Sequence, residues 1–127
     1  MKKLYINGRD ELLVLNLDKV ACFKADIDYT TVYYVSGLTA TLPIGLSKVE
    51  SLLSGIPGTP LCEFTRVGRS YIVNQAYLYQ IQTLRQRLIL SDGHKLITLP
   101  VSKEALKRYK QHIAEKYGSP TNPVSSP

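Results

Sequence analysis

The sequence predicts a mostly β protein built from short strands, with a helix at its carboxyl end. Runs of apolar and β-branched residues are separated at close intervals by turn-forming pairs such as Asn7-Gly8 and Ser36-Gly37. Near the end of the chain, apolar residues recur at helical spacing instead, and this face should pack on the strands. The residues at that spacing are Leu106, Tyr109, Ile113 and Tyr117.

The 127 residues fit one domain followed by a tail. A chain of this length can bury a core without a metal or a disulfide bond. We expect the domain to span residues 1–118, and residues 119–127, which hold three prolines and no charge, to be disordered. Cys22 and Cys62 are expected to be buried thiols. Because no apolar run approaches the roughly 20 residues of a membrane span, the expected compartment is the cytoplasm.

The first half of the chain is expected to hold an opening hairpin, a second set of strands and one helix. Segment 17–20 fits a short connector or a single helical turn. Ser47 is expected to cap the helix, which should end at Leu53, with Gly55 beyond its end. Segment 55–60 is a turn-rich connector. The expected strands are 3–6, 11–15, 21–24, 30–35 and 39–42.

The second half is expected to continue with strands. Segment 64–74 reads as one strand with core-facing apolar residues, followed at 74–77 by a tight turn or short helix. Asp92-Gly93 predicts a hairpin turn. Ser102 is expected to cap the final helix, with Glu104 in its first turn and Gly118 at its end. The further expected strands are 78–84, 87–90 and 95–99.

Positive charge is concentrated in the second half of the chain. Residues 1–63 contain six basic and seven acidic residues, whereas residues 64–127 contain ten basic and three acidic ones. Such an imbalance creates an attractive potential for a polyanion, although a solubilising surface explains charge alone at least as well.

Two arginines in segment 64–74 strengthen the case for a nucleic acid. Arg66 and Arg69 belong to a segment that also builds the core, so their positions are fixed by the fold. A guanidinium group presents forked donors that match phosphates and the edge of guanine.

Several segments together resemble the LytTR DNA-binding domain family. The residues that carry the resemblance extend over most of the chain, roughly from residue 19 to residue 113, and their order and spacing are more specific than any one segment. The segments are Phe23-Lys24-Ala25-Asp26-Ile27-Asp28-Tyr29-Thr30, Phe64-Thr65-Arg66-Val67-Gly68-Arg69-Ser70-Tyr71-Ile72-Val73-Asn74, Leu88-Ile89-Leu90-Ser91-Asp92-Gly93 and Leu99-Pro100-Val101-Ser102-Lys103.

The resemblance implies an elongated stack of short, mainly antiparallel sheets with one or two short helices, and a function in bacterial transcription regulation. Domains of this family insert loops into successive major grooves of double-stranded DNA. They usually follow a receiver domain in two-component response regulators, whereas this chain is expected to stand alone. The implied partners are promoter direct repeats and a second copy of the chain on the DNA.

The resemblance also assigns candidate DNA contacts to three regions. The first holds Tyr29 and Thr30, although an ordinary hairpin turn explains these residues as well. In the second, Gly68 stands where the family commonly has His, and Arg69 is the best candidate for reading a guanine, with a salt bridge to Glu63 or Asp92 as the alternative. The candidates in the second and third regions are Arg66, Arg69, Ser70, Ser102, Lys103 and Lys107.

Some residues in these three regions have structural explanations that reduce the number of candidate DNA contacts. Helix capping explains Ser102 better than a base contact does, and Lys107 follows Lys103 by one helical turn. Tyr71, Val73 and Asn74 are expected to form core and turn. The interpretation as a DNA binder requires Arg69, Thr30 and Lys103 to lie at a single edge of the fold.

No pattern in the sequence favours catalysis. His94 and His112 lack a nucleophile or metal ligand at a suitable spacing, so we expect no enzyme activity, cofactor or metal. Two other binding functions remain open. Nine tyrosines and the edge strands could form a protein-interaction surface, or stacked tyrosines could bind a single strand.

Overall fold

Antiparallel strands joined by tight turns make up most of the structure, as the sequence predicts. The computed structural model describes residues 2–56 and 63–117, with ten strands in three sheets and two α-helices. Short 3₁₀ turns cover Leu17–Lys19 and Gln75–Tyr77. The elements are β1 (Lys3–Asn7), β2 (Leu12–Asn16), β3 (Val20–Asp26), β4 (Tyr29–Tyr34), β5 (Thr39–Leu42), α1 (Leu46–Ser54), β6 (Phe64–Val67), β7 (Tyr71–Asn74), β8 (Leu78–Gln82), β9 (Arg87–Ser91), β10 (Leu96–Pro100) and α2 (Lys103–Tyr117).

A five-stranded sheet with the order β5-β4-β3-β7-β6 lies at the centre of the fold. One face packs on the β1–β2 hairpin and α1, and the other packs on α2 and the β10-β9-β8 sheet. Alternation along β7 places Tyr71 and Val73 in one core and Ile72 in the other. Because both faces are covered, the central sheet has only its ends and edges available for contact with another molecule.

Segment 64–74 does not form the single strand that the sequence predicted. It folds as the antiparallel pair β6 and β7, joined by a turn at residues 68–70. Gly68 has a φ of +65°, a backbone conformation that residues with a Cβ rarely adopt. The apolar alternation continues on both sides of this turn, which is why the segment resembled one strand. Arg69 therefore lies in the turn.

The predictions for the helix termini had different outcomes. Gly45, not Ser47, occupies the N-cap of α1, and Gly55 follows its end as predicted. Ser102 caps α2, because its hydroxyl oxygen accepts a hydrogen bond from the Ala105 N–H at 3.3 Å. The predicted end of α2 at Gly118, the tail at 119–127 and part of the connector 55–60 lie outside the described residues.

Asn74 belongs to the interior of the fold, as predicted. Its side-chain oxygen accepts from the Ala76 N–H at 3.0 Å, and its amide donates to the Val20 carbonyl at 2.9 Å. Cys22 is buried and free, and this burial raises the pKa of its thiol to about 12. Cys62 lies outside the described residues. Within the described chain, neither helix is long and apolar enough to cross a membrane.

The carboxyl end of α2 is attached to the start of β6 through Glu63. The carboxylate accepts hydrogen bonds from Lys116, from the Tyr117 hydroxyl at 3.0 Å and from the Gln75 amide at 3.1 Å. The hydrogen bonds from Lys116 and Tyr117 lower the pKa of Glu63. Tyr117 was expected to face the sheets, but it is 60% exposed and meets Glu63 at the surface instead.

We expect Glu63→Gln to reduce the free energy of unfolding at pH 7 by up to about 1 kcal/mol, as for other exposed charge pairs. Because folding lowers the pKa of Glu63, its contribution is complete above the ordinary value of 4.5 and is lost as the pH falls through the lowered pKa. Urea unfolding of both proteins at pH 7 and pH 3 measures this difference. Glu11→Gln is the matched control, and a difference that persists unchanged at pH 3 would contradict the assignment.

Candidate nucleic-acid interface

Two turns meet at one end of the central sheet. Strands β3 and β4 are joined by a tight turn at residues 27–28, and the β6–β7 turn lies beside it because β3 also pairs with β7. A hydrogen bond of 2.8 Å from the Ala25 N–H to the Ser70 carbonyl joins the two. Tyr29 and Arg69 therefore lie at the same end of the sheet.

The start of α2 lies against the β6–β7 turn. A groove of about 280 Å³ separates them, and its lining includes Arg69, Ser70, Ser102 and Arg108. A Cβ at Gly68 would lie 3.2 Å from the Cβ of Ala105, so the turn and the helix approach closely. Glycine therefore satisfies two local constraints at position 68, and a histidine there would require the turn to shift.

The β8–β9 turn extends this surface beyond α2. The Val101 N–H donates to the Gln86 carbonyl at 3.1 Å, and Arg87 is paired with Pro100 across β9 and β10. Arg85 and Arg87 therefore lie beside the start of α2. We call this continuous surface the cationic edge. It consists of residues 26–29, 68–70, 83–87 and 100–103, with Lys107 and Arg108 on the adjoining helix.

Arg69 is the central free cation of the cationic edge. The residue is exposed, and its side chain has no ion pair or hydrogen bond within the described part of the chain. The two carboxylates that were alternative partners are engaged elsewhere. Glu63 pairs with Lys116, and Asp92 accepts from the N–H groups of His94 and Lys95, which lower its pKa. The guanidinium of Arg69 is therefore available to an external ligand.

Arg66, a predicted DNA contact, makes hydrogen bonds within the protein. Its Nη1 donates to Glu50 Oε1 of α1 at 2.9 Å, and its Nη2 donates to the carbonyl of Arg69, also at 2.9 Å. These bonds occupy both terminal nitrogens and fix the backbone of the β6–β7 turn. This geometry favours a role of Arg66 in positioning Arg69 over a direct contact with DNA.

Thr30 is also removed from the candidate contacts. It is fully buried, and its hydroxyl donates to the Ile44 carbonyl at 2.9 Å. The requirement that Thr30 lie at the end of the sheet is met by its position in β4, but its side chain points into the protein. Tyr29, the preceding residue, is 52% exposed and remains a candidate.

Three cations near the start of α2 lie on two flanks of the helix. Lys103 and Lys107 follow each other by one turn, whereas Arg108 is displaced by about 100° from Lys107 and faces the groove beside Arg69. Lys107 is exposed, and Lys103 is partly buried. Both lysines lie next to the capped N-terminus, where free N–H groups and the helix dipole also favour an anion.

Two residues of this surface were missed by the sequence analysis. Arg108 shares one face of α2 with Ala105, which packs against Gly68, and this spacing is the signal that identifies it. Ile27 lies at the tip of the β3–β4 turn, is 91% exposed and has a φ of +55°. No sequence signal distinguishes such an isoleucine from one in the core.

Comparison with known proteins identifies the family of the chain and supports its fold. The family model of the LytTr DNA-binding domain matches residues 10–114. Among solved structures, the chain is similar to the LytTr DNA-binding domain of a Bacillus cereus protein described as a methyl-accepting/DNA response regulator. That similarity has a TM-score of 0.58 and 22% sequence identity, and covers 87% of this chain and 95% of the other, which supports the fold. No curated protein matches the chain.

We expect Ile27→Asn to raise the free energy of unfolding by about 1 kcal/mol, because the left-handed conformation disfavours a β-branched side chain and tolerates asparagine. Chemical denaturation measures the change. Ile27→Val keeps a β-branched side chain at this backbone position and serves as the control, with no gain expected. A loss of stability in Ile27→Asn would show that the exposed side chain supports the fold.

Proposed function

Because the chain belongs to the LytTr DNA-binding domain family, we propose that it binds double-stranded DNA in a sequence-specific manner and regulates bacterial transcription in the cytoplasm. The observation that carries this proposal is Arg69, a cation that has no side-chain partner among residues 2–56 and 63–117 and projects from a turn that Arg66 restrains. The proposal gives this turn the role of reading bases in a major groove.

Arg69 has the chemistry for direct readout. A guanidinium can donate two parallel hydrogen bonds to O6 and N7 of guanine, and the major groove, about 12 Å wide, admits a tight turn. Ser70, exposed beside it, offers a hydroxyl that can donate to a base or a phosphate. Both side chains start from a backbone held by the hydrogen bonds at Ser70 and Arg69.

The remaining cations of the edge suit the phosphate backbone. The N-terminus of α2 with Ser102 and Lys103 can hold one phosphate, and Lys107 and Arg108 extend the positive surface on either flank of the helix. Arg85 and Arg87 extend it further along the same side. On the other side of Arg69, Tyr29 can pack on a sugar. We propose that this row follows the duplex, and that two copies occupy a direct repeat.

The two other binding functions have less support. A single-strand binder stacks several aromatic rings along one cationic groove, but among the exposed tyrosines only Tyr29 lies on the cationic edge. The others lie on β1, β8 and the end of α2. A protein-interaction surface would use those scattered tyrosines and would leave the cluster of unpaired cations without a function.

Arg69→Ala should weaken binding to the preferred duplex by about 1–3 kcal/mol and blur the preference at one base pair. Selection from random duplexes, followed by fluorescence anisotropy on the selected site, measures both effects. Lys19→Ala is the matched control, because Lys19 is exposed at the opposite end of β3, and should leave the preference intact. An unaltered footprint in Arg69→Ala would remove this residue from base reading.

Lys107→Ala should weaken binding to all duplex sequences alike and reduce the slope of log Kd against log salt by about one. Titrations at several salt concentrations, with the selected and a scrambled duplex, measure this. Weak salt dependence in the wild-type protein would contradict duplex binding by the cationic edge and favour a protein partner. Tighter binding to the unpaired strand than to the duplex would favour the single-strand function.

A further inference from the structure

Ile27 has a backbone conformation that is unfavourable for a β-branched residue. The residue forms the tip of the β3–β4 turn, with a φ of +55° and 91% of its surface exposed. Glycine or asparagine adopts this conformation with less strain than a β-branched side chain. At that exposure the isoleucine buries little surface within the described protein, so neither packing nor turn chemistry accounts for it.

The surroundings of Ile27 limit what it can contact. The turn lies at the cationic edge, joined to the Arg69 turn through the hydrogen bond between Ala25 and Ser70. Asp26 and Asp28, both exposed, flank the isoleucine. Two carboxylates disfavour an approach to phosphates. The tip therefore suits the centre of a groove, away from the sugar-phosphate backbone.

The major groove presents one apolar group, the 5-methyl group of thymine, and aliphatic side chains make contact with it there. We propose that Ile27 packs against a thymine methyl group and is a specificity-determining residue of the interface. This inference rests on the proposed function, and it adds a thymine to the site at a position offset from the base pair that Arg69 reads. The exposed carboxylates beside it can accept from the amino group of a neighbouring cytosine.

Deoxyuridine differs from thymidine only by the absence of the methyl group, and it gives a direct test. Each thymine of the selected site is replaced in turn by deoxyuridine, and binding is measured for the wild-type protein and for Ile27→Asn. One replacement should weaken wild-type binding about fourfold, the effect of losing one buried methyl group. Ile27→Asn should bind the thymine duplex more weakly and should not distinguish the two duplexes at that position.

Leu38→Asn is the matched control. Leu38 is 64% exposed in the turn between β4 and β5, at the opposite end of the sheet, so the substitution removes an exposed aliphatic side chain away from the edge. It should retain the wild-type response to deoxyuridine. Thermal unfolding of each variant confirms that the proteins compared are folded.

The outcomes separate this inference from the function on which it rests. One outcome is that the wild-type protein binds a specific duplex while Ile27→Asn keeps the wild-type ratio of affinities for thymine and deoxyuridine at every position. In that case the assignment of Ile27 is wrong and the proposed function stands. A uniform loss of affinity without a change in any ratio also overturns it. If the wild-type protein selects no duplex sequence, both fall.

Discussion

The central sheet is buried on both faces, and this constraint determines where the protein can meet a ligand. Side chains of β3 and β7 alternate between two cores, one closed by α1 and the β1–β2 hairpin, the other by α2 and the β8–β10 sheet. Polar recognition groups on these strands would be buried without partners, which is costly. Exposed polar side chains are instead available in the turns at the strand ends, where the backbone reverses and side chains reach solvent. The order of strands brings the turns of two hairpins together, and α2 adds its N-terminus beside them.

Arg66 couples this scaffold to the β6–β7 turn. It lies on β6 and binds both the carboxylate of Glu50 on α1 and the carbonyl of Arg69. Arg66 on β6 therefore restrains the turn that follows this strand, and Arg69 projects from that turn. Hydrogen bonds from an ionised donor are stronger than those between neutral groups, so Arg66 restrains one side of the turn. The close approach of Gly68 to Ala105 fixes the other side of the turn against α2.

Local sequence signals were sufficient to predict most strands and helices, but they were insufficient to predict which side chains form the candidate interface. Thr39–Leu42, the helix cap at Ser102 and the turn after Asn74 follow from residues next to one another in the chain. The partners of Arg66 and Thr30 do not. Glu50 and Ile44 are 16 and 14 residues away from them and meet them only after strands pair. The break at Gly68 was missed because Val67 and Tyr71 face the same core on both sides of the turn. The family resemblance identified segments that the fold brings together, but it could not separate exposed side chains from those that support the fold.

Rigid and flexible cations should contribute differently to binding. Hydrogen bonds to the carbonyls of Arg69 and Ser70 restrain the backbone of this turn, which reduces the ordering that the proposed base contact of Arg69 requires. Lys103 and Lys107 project from a helix flank on long flexible stems, and each immobilised side chain costs about 0.5–1.5 kcal/mol. A lysine that stays mobile near phosphate avoids this cost and still contributes electrostatic attraction. The edge therefore divides into a restrained turn that suits sequence discrimination and a helix flank that suits affinity without discrimination. The proposed contact of Ile27 with a thymine would belong to the discriminating part, because apolar contact depends on shape and is insensitive to salt.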